Sequence, residues 1–262
     1  MNVFRKIAGV IPARYASSRF PGKPLAPLTD GRPMIVHVCA QAARARRLDQ
    51  FWVATDDQRI YEAVVQAGYE ARMTPESCRN GSDRIAASLR ESESWDILVN
   101  IQGDEPRIDP LVIDAVVEAL VTAPQCGVST AAVPITARED FESPHVVKVV
   151  LTNDTQALYF SRAPLPSAAR LAPEVMAAPG FVWGFKHLGL YAYRHDMLMA
   201  YARWLPRMLE TRECLEQLRF LEYGVAIQVA IVKHDSIGVD TPEELAALIA
   251  REQAEKTLTR MP

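Results

Sequence analysis

The stretch from Gly9 to Leu25 reads GVIPARYASSRFPGKPL. It opens as an apolar run, meets Pro12, where the chain is expected to turn, and then strings Arg14, Arg19 and Lys23 along a loop of small residues. Gly22 stands just before the lysine. Three cations on a loop at the end of a buried strand make a seat for a polyphosphate, and in α/β folds such seats lie outside the carboxyl ends of the strands. At an effective dielectric of about 20, a unit charge pair at about 4 Å is worth roughly 4 kcal/mol, so a few contacts suffice to hold a nucleotide triphosphate. Composition alone leaves a solvated basic loop as the plain alternative. The P-loop pattern is excluded, because Ser17 and Pro24 stand where it needs Gly and Ser or Thr. The dinucleotide fingerprint is excluded too, since none of the 12 glycines form G-x-G.

Outward from this loop the chain alternates strand and helix. Ile7 to Ile11 reads as a strand, Pro33 to about Arg47 as a helix with Ile35, Val38, Cys39 and Ala42 on one face, and Phe51 to Thr55 as a strand ending at Asp56-Asp57. Ile60 to Ala67 is helical and is stopped by Gly68. Glu70 to Met73 is a short strand, and a loop leads to a helix that Ser82 or Asp83 is expected to cap. Ile97 to Ile101 is apolar throughout, as in the middle of a parallel sheet, and Pro110 to Leu120 is helical. This order predicts a doubly wound α/β sheet. The rhythm then changes. Val128 to Val133, Val146 to Leu151 and His187 to Tyr193 are β-rich, while Ala163 to Gly184 has no clear period, so a smaller lobe is expected at roughly 134–195 within a single domain. Thr211 to Tyr223 reads as one helix, Gln228 to Val232 as a strand, and Pro242 to about Lys256 as a helix capped by Thr241.

The 262 residues carry 49% hydrophobic and 23% charged side chains, an ordinary enzyme composition. A net charge of -3 gives no global basic field for nucleic acid. No apolar run approaches the roughly 20 residues of a membrane span, and no secretory leader is evident at the N-terminus. Cys39, Cys78, Cys126 and Cys214 are scattered and are read as reduced and mostly buried.

Asp104 follows an apolar strand at a Gly turn, and Asp240 stands in the same relation to a later strand. Mg²⁺ is commonly held by one or two carboxylates together with substrate phosphates, which suits this pair facing a basic loop. A turn residue and a helix N-terminal acid are the plain alternatives. D-x-D, the usual metal motif of nucleotide-sugar glycosyltransferases, is absent from the sequence.

IPARYASSRFPGKPL, VATDD, CRNGSDR, VNIQGDEP, YFSRAPLP, KHLGLYAYR, LEQLRFLEYG and VDTPEEL occur in that order. On these blocks the chain resembles the 3-deoxy-manno-octulosonate (Kdo) cytidylyltransferases from Ile7 to Leu248. The short IPAR–GKP element alone would also admit the CMP-sialic acid synthetases. The resemblance implies a nucleotide-binding, doubly wound mixed sheet with a smaller dimerisation and sugar-binding lobe. It implies a cytoplasmic, Mg²⁺-dependent homodimer that joins CTP to Kdo, releases pyrophosphate and feeds lipopolysaccharide assembly. By motif position it implies that Arg14, Arg19 and Lys23 bind the CTP phosphates. Main chain at Pro12 and Ala13, with Asn80, Gly81 and Ser82, would line base and ribose. Asp104 and Asp240 would hold Mg²⁺, and Arg14, Lys23 and both aspartates would carry the chemistry. Gln102, Arg162, His187, Tyr191, Glu216 and Gln217 would surround Kdo, with Arg162 facing its carboxylate.

Taken singly, His187 and Tyr191 read as core residues of a strand, and Glu216 and Gln217 as an ordinary helix surface. Two departures from the family pattern bear on substrate. Asn80-Gly-Ser82 replaces an expected Ser-Gly-Thr, and Ser167 to Phe185 matches poorly, which leaves an amino-Kdo or sialic-acid type sugar open. A nucleotide-sugar glycosyltransferase and a non-catalytic nucleotide sensor are the readings from other classes. The missing D-x-D opposes the first, and retention of both aspartates opposes the second.

Overall fold

Aliphatic runs bounded by turn residues become strands here, and apolar residues at three- and four-residue spacing become helices. The computed structural model describes residues 5–16, 19–78, 80–236 and 238–259. Ser17 and Ser18 of the basic loop, and Arg79 of CRNGSDR, lie outside the described residues. In chain order the elements begin with β1 (Ile7–Ala13), a 3-10 turn (Lys23–Leu25), α1 (Met34–Ala42), β2 (Gln50–Thr55), α2 (Gln58–Gln66), β3 (Ala71–Met73), α3 (Gly81–Ser88), β4 (Ile97–Asn100) and α4 (Pro110–Thr122). They continue with β5 (Val128–Ile135), α5 (Arg138–Glu142), β6 (Lys148–Leu151), β7 (Ala157–Ser161), α6 (Pro173–Met176), β8 (Gly184–Arg194) and α7 (His195–Tyr201). The chain closes with α8 (Met208–Glu213), α9 (Leu218–Glu222), β9 (Ile227–Ile231) and α10 (Pro242–Thr259).

These elements fall into two compact units. The first takes residues up to Trp95, Asn100–Pro110 and those from Ser236 onward. Its strands run β3-β2-β1, both pairings parallel. Val10, Ile11, Trp52, Val53 and Ala54 are fully buried, as expected of parallel strands covered on both faces. β1 does not turn at Pro12. It continues through Pro12 and Ala13, which pair with Ala54 and Thr55, because one missing donor near a strand end removes one ladder bond while the proline φ remains acceptable there. α1 buries the anticipated Ile35, Val38, Cys39 and Ala42 but ends at Ala42, five residues short of the expected Arg47. α2 is capped by Asp57, whose carboxylate accepts from the Arg59 N–H, and Gly68 at φ +85° follows its end.

The second unit takes Asp96–Val99 and Leu111–Asp235. Its strands run β4-β8-β5-β9, with β6 and β7 hairpinned beside β8. β5 pairs parallel with β9 and antiparallel with β8, so this is the mixed part of the α/β fold. The run expected to be one helix from Thr211 to Tyr223 is two, α8 and α9, broken at Cys214, which adopts the left-handed conformation at φ +54°. Glu216 and Gln217 therefore sit at a junction. Glu216 is exposed, but Gln217 is buried rather than on a helix surface. All four cysteines are free. Cys39 and Cys126 are buried, Cys78 is partly covered and Cys214 is exposed. Among the described residues no helix is long and apolar enough to cross a membrane.

Candidate active site

In the first unit, Lys23 is placed by a folded-back loop. The Gly22 N–H donates to the Tyr15 carbonyl at 2.9 Å, and Gly22 adopts φ +73°. A Cβ there would meet the Tyr15 ring at 2.9 Å, so only glycine closes this turn without displacing the ring. Arg59 packs on the same ring, its guanidinium 3.5 Å from the centroid. The 3-10 turn then projects the Lys23 side chain inward.

That ammonium lies between two carboxylates. Lys23 Nζ donates to Asp104 Oδ2 at 2.7 Å and to Asp240 Oδ1 at 3.0 Å. Arg19 Nη2 reaches Asp240 Oδ2 at 3.0 Å. Lys23 is mostly covered, whereas Arg14 and Arg19 are exposed, and Arg14 has no ion pair among the described residues. The aspartates converge because their loops are joined by the backbone. The Val239 N–H donates to the Asp104 carbonyl at 2.9 Å. Beneath them Leu28, Met34, Val239 and Leu248 form a buried cluster, with Leu245 and Ile249 packed against it. Each such side chain contributes about 1.5–3 kcal/mol on burial, which anchors α10 to the loop after Lys23. The N-terminus of α10 is a reciprocal capping box. The Thr241 hydroxyl accepts from the Glu244 N–H at 3.2 Å, and Glu244 Oε2 accepts from the Asp240 and Thr241 N–H groups at 2.6 and 3.1 Å.

Pro12, Ala13, Asn80, Gly81 and Ser82 also belong to this unit. The cap of α3 is Asn80, not Ser82 or Asp83, because its carbonyl oxygen accepts from the Asp83 N–H at 2.8 Å. Ser82 is buried in the first turn. The body of α3 is held by Ser88, which accepts from Trp52 Nε1 at 2.9 Å, and by Arg84, which pairs with Asp56 at 2.6 Å. Gly103 lies so close to β1 that a Cβ would stand 2.8 Å from the Pro12 carbonyl oxygen. Gln102 is the residue before it and is partly covered.

Sequence reading missed Asn100, next to Gly81. It is buried, and its Oδ1 has no hydrogen-bond partner among the described residues. The available signal is a lone amide ending an otherwise aliphatic strand, Ile97-Leu-Val-Asn100.

The second unit carries Arg162, His187, Tyr191, Glu216 and Gln217. Arg162 follows β7 and is held on several sides. Its N–H donates to Glu213 Oε2 at 3.0 Å, its Nε to the Glu213 carbonyl at 3.1 Å, and its Nη1 to the Pro144 carbonyl at 3.1 Å. Its own carbonyl accepts from Lys148 Nζ at 2.7 Å. Lys148 is fully buried and also donates to the Ser143 and Val146 carbonyls, and burial, then the Arg162 charge, draws its pKa down. Glu213 and Lys148 are two more residues that sequence reading missed, and no local pattern marks them.

His187 is partly exposed yet densely packed. Phe160 meets it edge-on at 5.0 Å between centroids, and Tyr191 lies at 5.4 Å. The aromatic series continues through Tyr193 and Phe220 to Tyr201, whose hydroxyl reaches Glu216 Oε2 at 3.5 Å. Gln217 leaves Nε2 buried with no partner among the described residues. Burial raises the Tyr191 phenol well above its ordinary value and pushes the His187 imidazole down to about 3. The imidazole is thus neutral at pH 7. Between about 3 and its ordinary 6.5, the folded chain binds fewer protons at His187 than the unfolded chain, so stability falls as pH drops through that window. Urea midpoints measured at about pH 7 and about pH 4.5 are expected to drop further for the wild type than for His187→Phe. Equal drops would mean that His187 is not held neutral.

The sequence matches the family described as cytidylyltransferase over residues 8–229. The 3-deoxy-manno-octulosonate cytidylyltransferase of Syntrophobacter fumaroxidans is 49% identical over 246 residues, covering 93% of this chain and 96% of the relative. The chain belongs to the 3-deoxy-manno-octulosonate cytidylyltransferase family. A second family member, from Pelobacter propionicus, is 48% identical over 91% of this chain and 94% of its own length. Among solved structures, a CMP:2-keto-3-deoxy-manno-octonic acid synthetase complexed with CTP superposes with a TM-score of 0.87. It is 38% identical, and the match covers 95% of this chain and 99% of that one. The 4-diphosphocytidyl-2C-methyl-D-erythritol synthase from Anaerococcus prevotii, at 12% identity and a TM-score of 0.59 over 95% of this chain and 99% of its own, shares the fold alone.

Proposed function

We propose that this chain joins CTP to Kdo, giving CMP-Kdo and pyrophosphate and activating the sugar for lipopolysaccharide assembly. The observation that carries this reading is the Lys23 ammonium held by Asp104 and Asp240 at the end of a cationic loop. It supports a nucleotidyl transfer in which charge, rather than a covalent protein intermediate, lowers the barrier.

The anomeric 2-hydroxyl of Kdo attacks the α-phosphorus and gives up its proton to solvent, and the bond from that phosphorus to the oxygen bridging to the β-phosphate breaks in line with it, releasing pyrophosphate. Arg14, Arg19 and Lys23 bind the triphosphate and neutralise the departing pyrophosphate. Main chain at Pro12 and Ala13, with Asn80, Gly81 and Ser82, receives base and ribose. On the sugar side, Arg162 offers its planar fork to the carboxylate. Gln102, His187, Tyr191, Glu216 and Gln217 bind the hydroxyl groups.

The donor set fits a Mg²⁺ ion. Two carboxylates already gather round one cation, the lysine ammonium, with oxygens at 2.7 and 3.0 Å. Asp104 and Asp240 would hold the metal, the remaining positions falling to phosphate oxygens and water. A bound Mg²⁺ supplies charge neutralisation for the triphosphate as pyrophosphate departs.

The same reading places the enzyme in the cytoplasm, where CTP is made, and gives residues 134–195 the role of a lobe serving sugar binding and homodimerisation. Exposed Leu158, Leu171, Val175 and Val182 support the second role. The test is pyrophosphate release with Mg²⁺ and CTP, adding Kdo, its 8-amino analogue or sialic acid in parallel. Release with Kdo is expected. Release only with another acid sugar moves the substrate, and no release with any of them removes the proposal.

A further inference from the structure

The β5–β8 ladder slips at one point. Register passes from Thr130↔Tyr191 directly to Ala131↔Leu188, so Gly189 and Leu190 form a bulge in β8. A bulge takes backbone groups out of the regular ladder. Thr130 turns its hydroxyl toward two of them, with Oγ1 2.8 Å from the Leu190 carbonyl oxygen and 3.0 Å from that of Leu188. The same Oγ1 lies 3.1 Å from His187 Nε2.

A threonine hydroxyl has one proton and two lone pairs, while a carbonyl oxygen only accepts. Suppose Nε2 were unprotonated. One proton would then face three acceptors, leaving two acceptor–acceptor contacts near 3 Å in a fully buried spot. If Nε2 carries a proton, the ring becomes a donor to Thr130 Oγ1 and only the two carbonyls compete for the hydroxyl proton, which a single bifurcated bond can share between them. Phe160 and Tyr191 pack on the imidazole and oppose its turning over. Nδ1 has no hydrogen-bond partner among the described residues, and the residue keeps some accessible surface.

We infer that Thr130 is a positioning residue: it fixes His187 as the Nε2–H tautomer, so that Nδ1 presents an acceptor to a hydroxyl of the acid sugar. The tautomer follows from the geometry alone, whereas the acceptor role rests on the proposal that His187 lines the Kdo site. Burial keeps the ring neutral across the working pH range, so a proton does not block Nδ1.

The experiment is long-range ¹H–¹⁵N NMR on the full-length chain labelled at histidine, with the His187 signals assigned by their loss in His187→Gln. The wild type is expected to show a protonated Nε2 and a pyridine-type Nδ1, with Nδ1 shifting on addition of Kdo without CTP. Thr130→Val is expected to mix or reverse the tautomers and to raise KM for Kdo about tenfold, the loss of roughly one hydrogen bond, with KM for CTP unchanged. Thr130→Ser is expected to restore both. A wild-type ring protonated at Nδ1 overturns the inference whatever the variants do. Should Thr130→Val not fold, an Nδ1 resonance unmoved by Kdo overturns the acceptor role. A tautomer change in Thr130→Val with no change in KM for Kdo also overturns that role, and it separates failure of the sugar-site proposal from failure of the tautomer assignment.

Discussion

Asp104→Ala and Asp240→Ala are each expected to lower pyrophosphate release by about a thousandfold while the chain stays folded. The magnitude is that of removing one preorganised electrostatic partner from a site where charge develops. The two carboxylates have one cation between them, Lys23 at 2.7 and 3.0 Å, so removing either leaves the ammonium a single partner. Both aspartates retain solvent contact, Asp104 at 30% and Asp240 at 41% of the side chain. Folding therefore tolerates their loss, as it does for other exposed ion pairs. Turnover at saturating CTP and Kdo, with thermal melts alongside, separates the two effects. Activity within tenfold of wild type in both variants would remove the aspartates from the chemistry. A loss confined to Asp104→Ala would leave Asp240 as a partner of Arg19 and the capping box only.

Glu210→Ala is expected to destabilise the chain by about 3–5 kcal/mol, because it leaves a buried guanidinium unpaired. Arg219 Nε donates to Glu210 Oε2 at 2.6 Å, and a second bond joins the other ends of the fork. The same guanidinium lies 4.3 Å from the Tyr201 ring centroid and donates to the Trp204 carbonyl at 3.3 Å. Side-chain exposure of 4% for Arg219 and 10% for Glu210 leaves little water to replace the lost carboxylate. For a chain of this size the expected fall in melting temperature is about 10 °C. Glu210→Leu combined with Arg219→Met, which removes both charges, is expected to be milder than Glu210→Ala alone. Calorimetry decides, and a shift under about 2 °C for Glu210→Ala would show that water or a neighbour already solvates Arg219. The pair joins α8 to α9 across the Cys214 break, so activity that depends on Glu216 and Gln217 is expected to fall with it.

Much of this was legible in the residues. β4 and β2 read as strands because sheets covered on both faces need aliphatic side chains at nearly every position. Thr241 announces the α10 terminus because a side-chain cap is a local device, set within a few residues. The break at Cys214 was not legible. Left-handed backbone is normally flagged by glycine or asparagine, and here a cysteine adopts it. Asn80, Ser82 and Asp83 have similar capping preference, so the residues alone do not single out Asn80 as the cap, and only geometry selects it. The convergence of Lys23 on Asp104 and Asp240 spans 81 and 217 residues, a distance over which no periodicity carries information. The family motifs assign Lys23 to phosphate and the aspartates to metal, and their direct pairing emerges only from the folded geometry. Lys148, Glu213 and Thr130 act on neighbours through backbone groups, and a residue pattern does not record where carbonyls point.

The first unit is discontinuous, and its Leu28–Met34–Val239–Leu248 cluster joins early residues to late ones. Synthesis proceeds from the N-terminus, so Leu28 and Met34 leave the ribosome some two hundred residues before Val239 and Leu248. The second unit, continuous from Leu111 to Asp235 but for Asp96–Val99, has every one of its residues made before α10 exists. The aspartate pair is therefore assembled last, and a nascent chain stalled short of residue 239 carries Lys23 and Asp104 without the segment that completes their site.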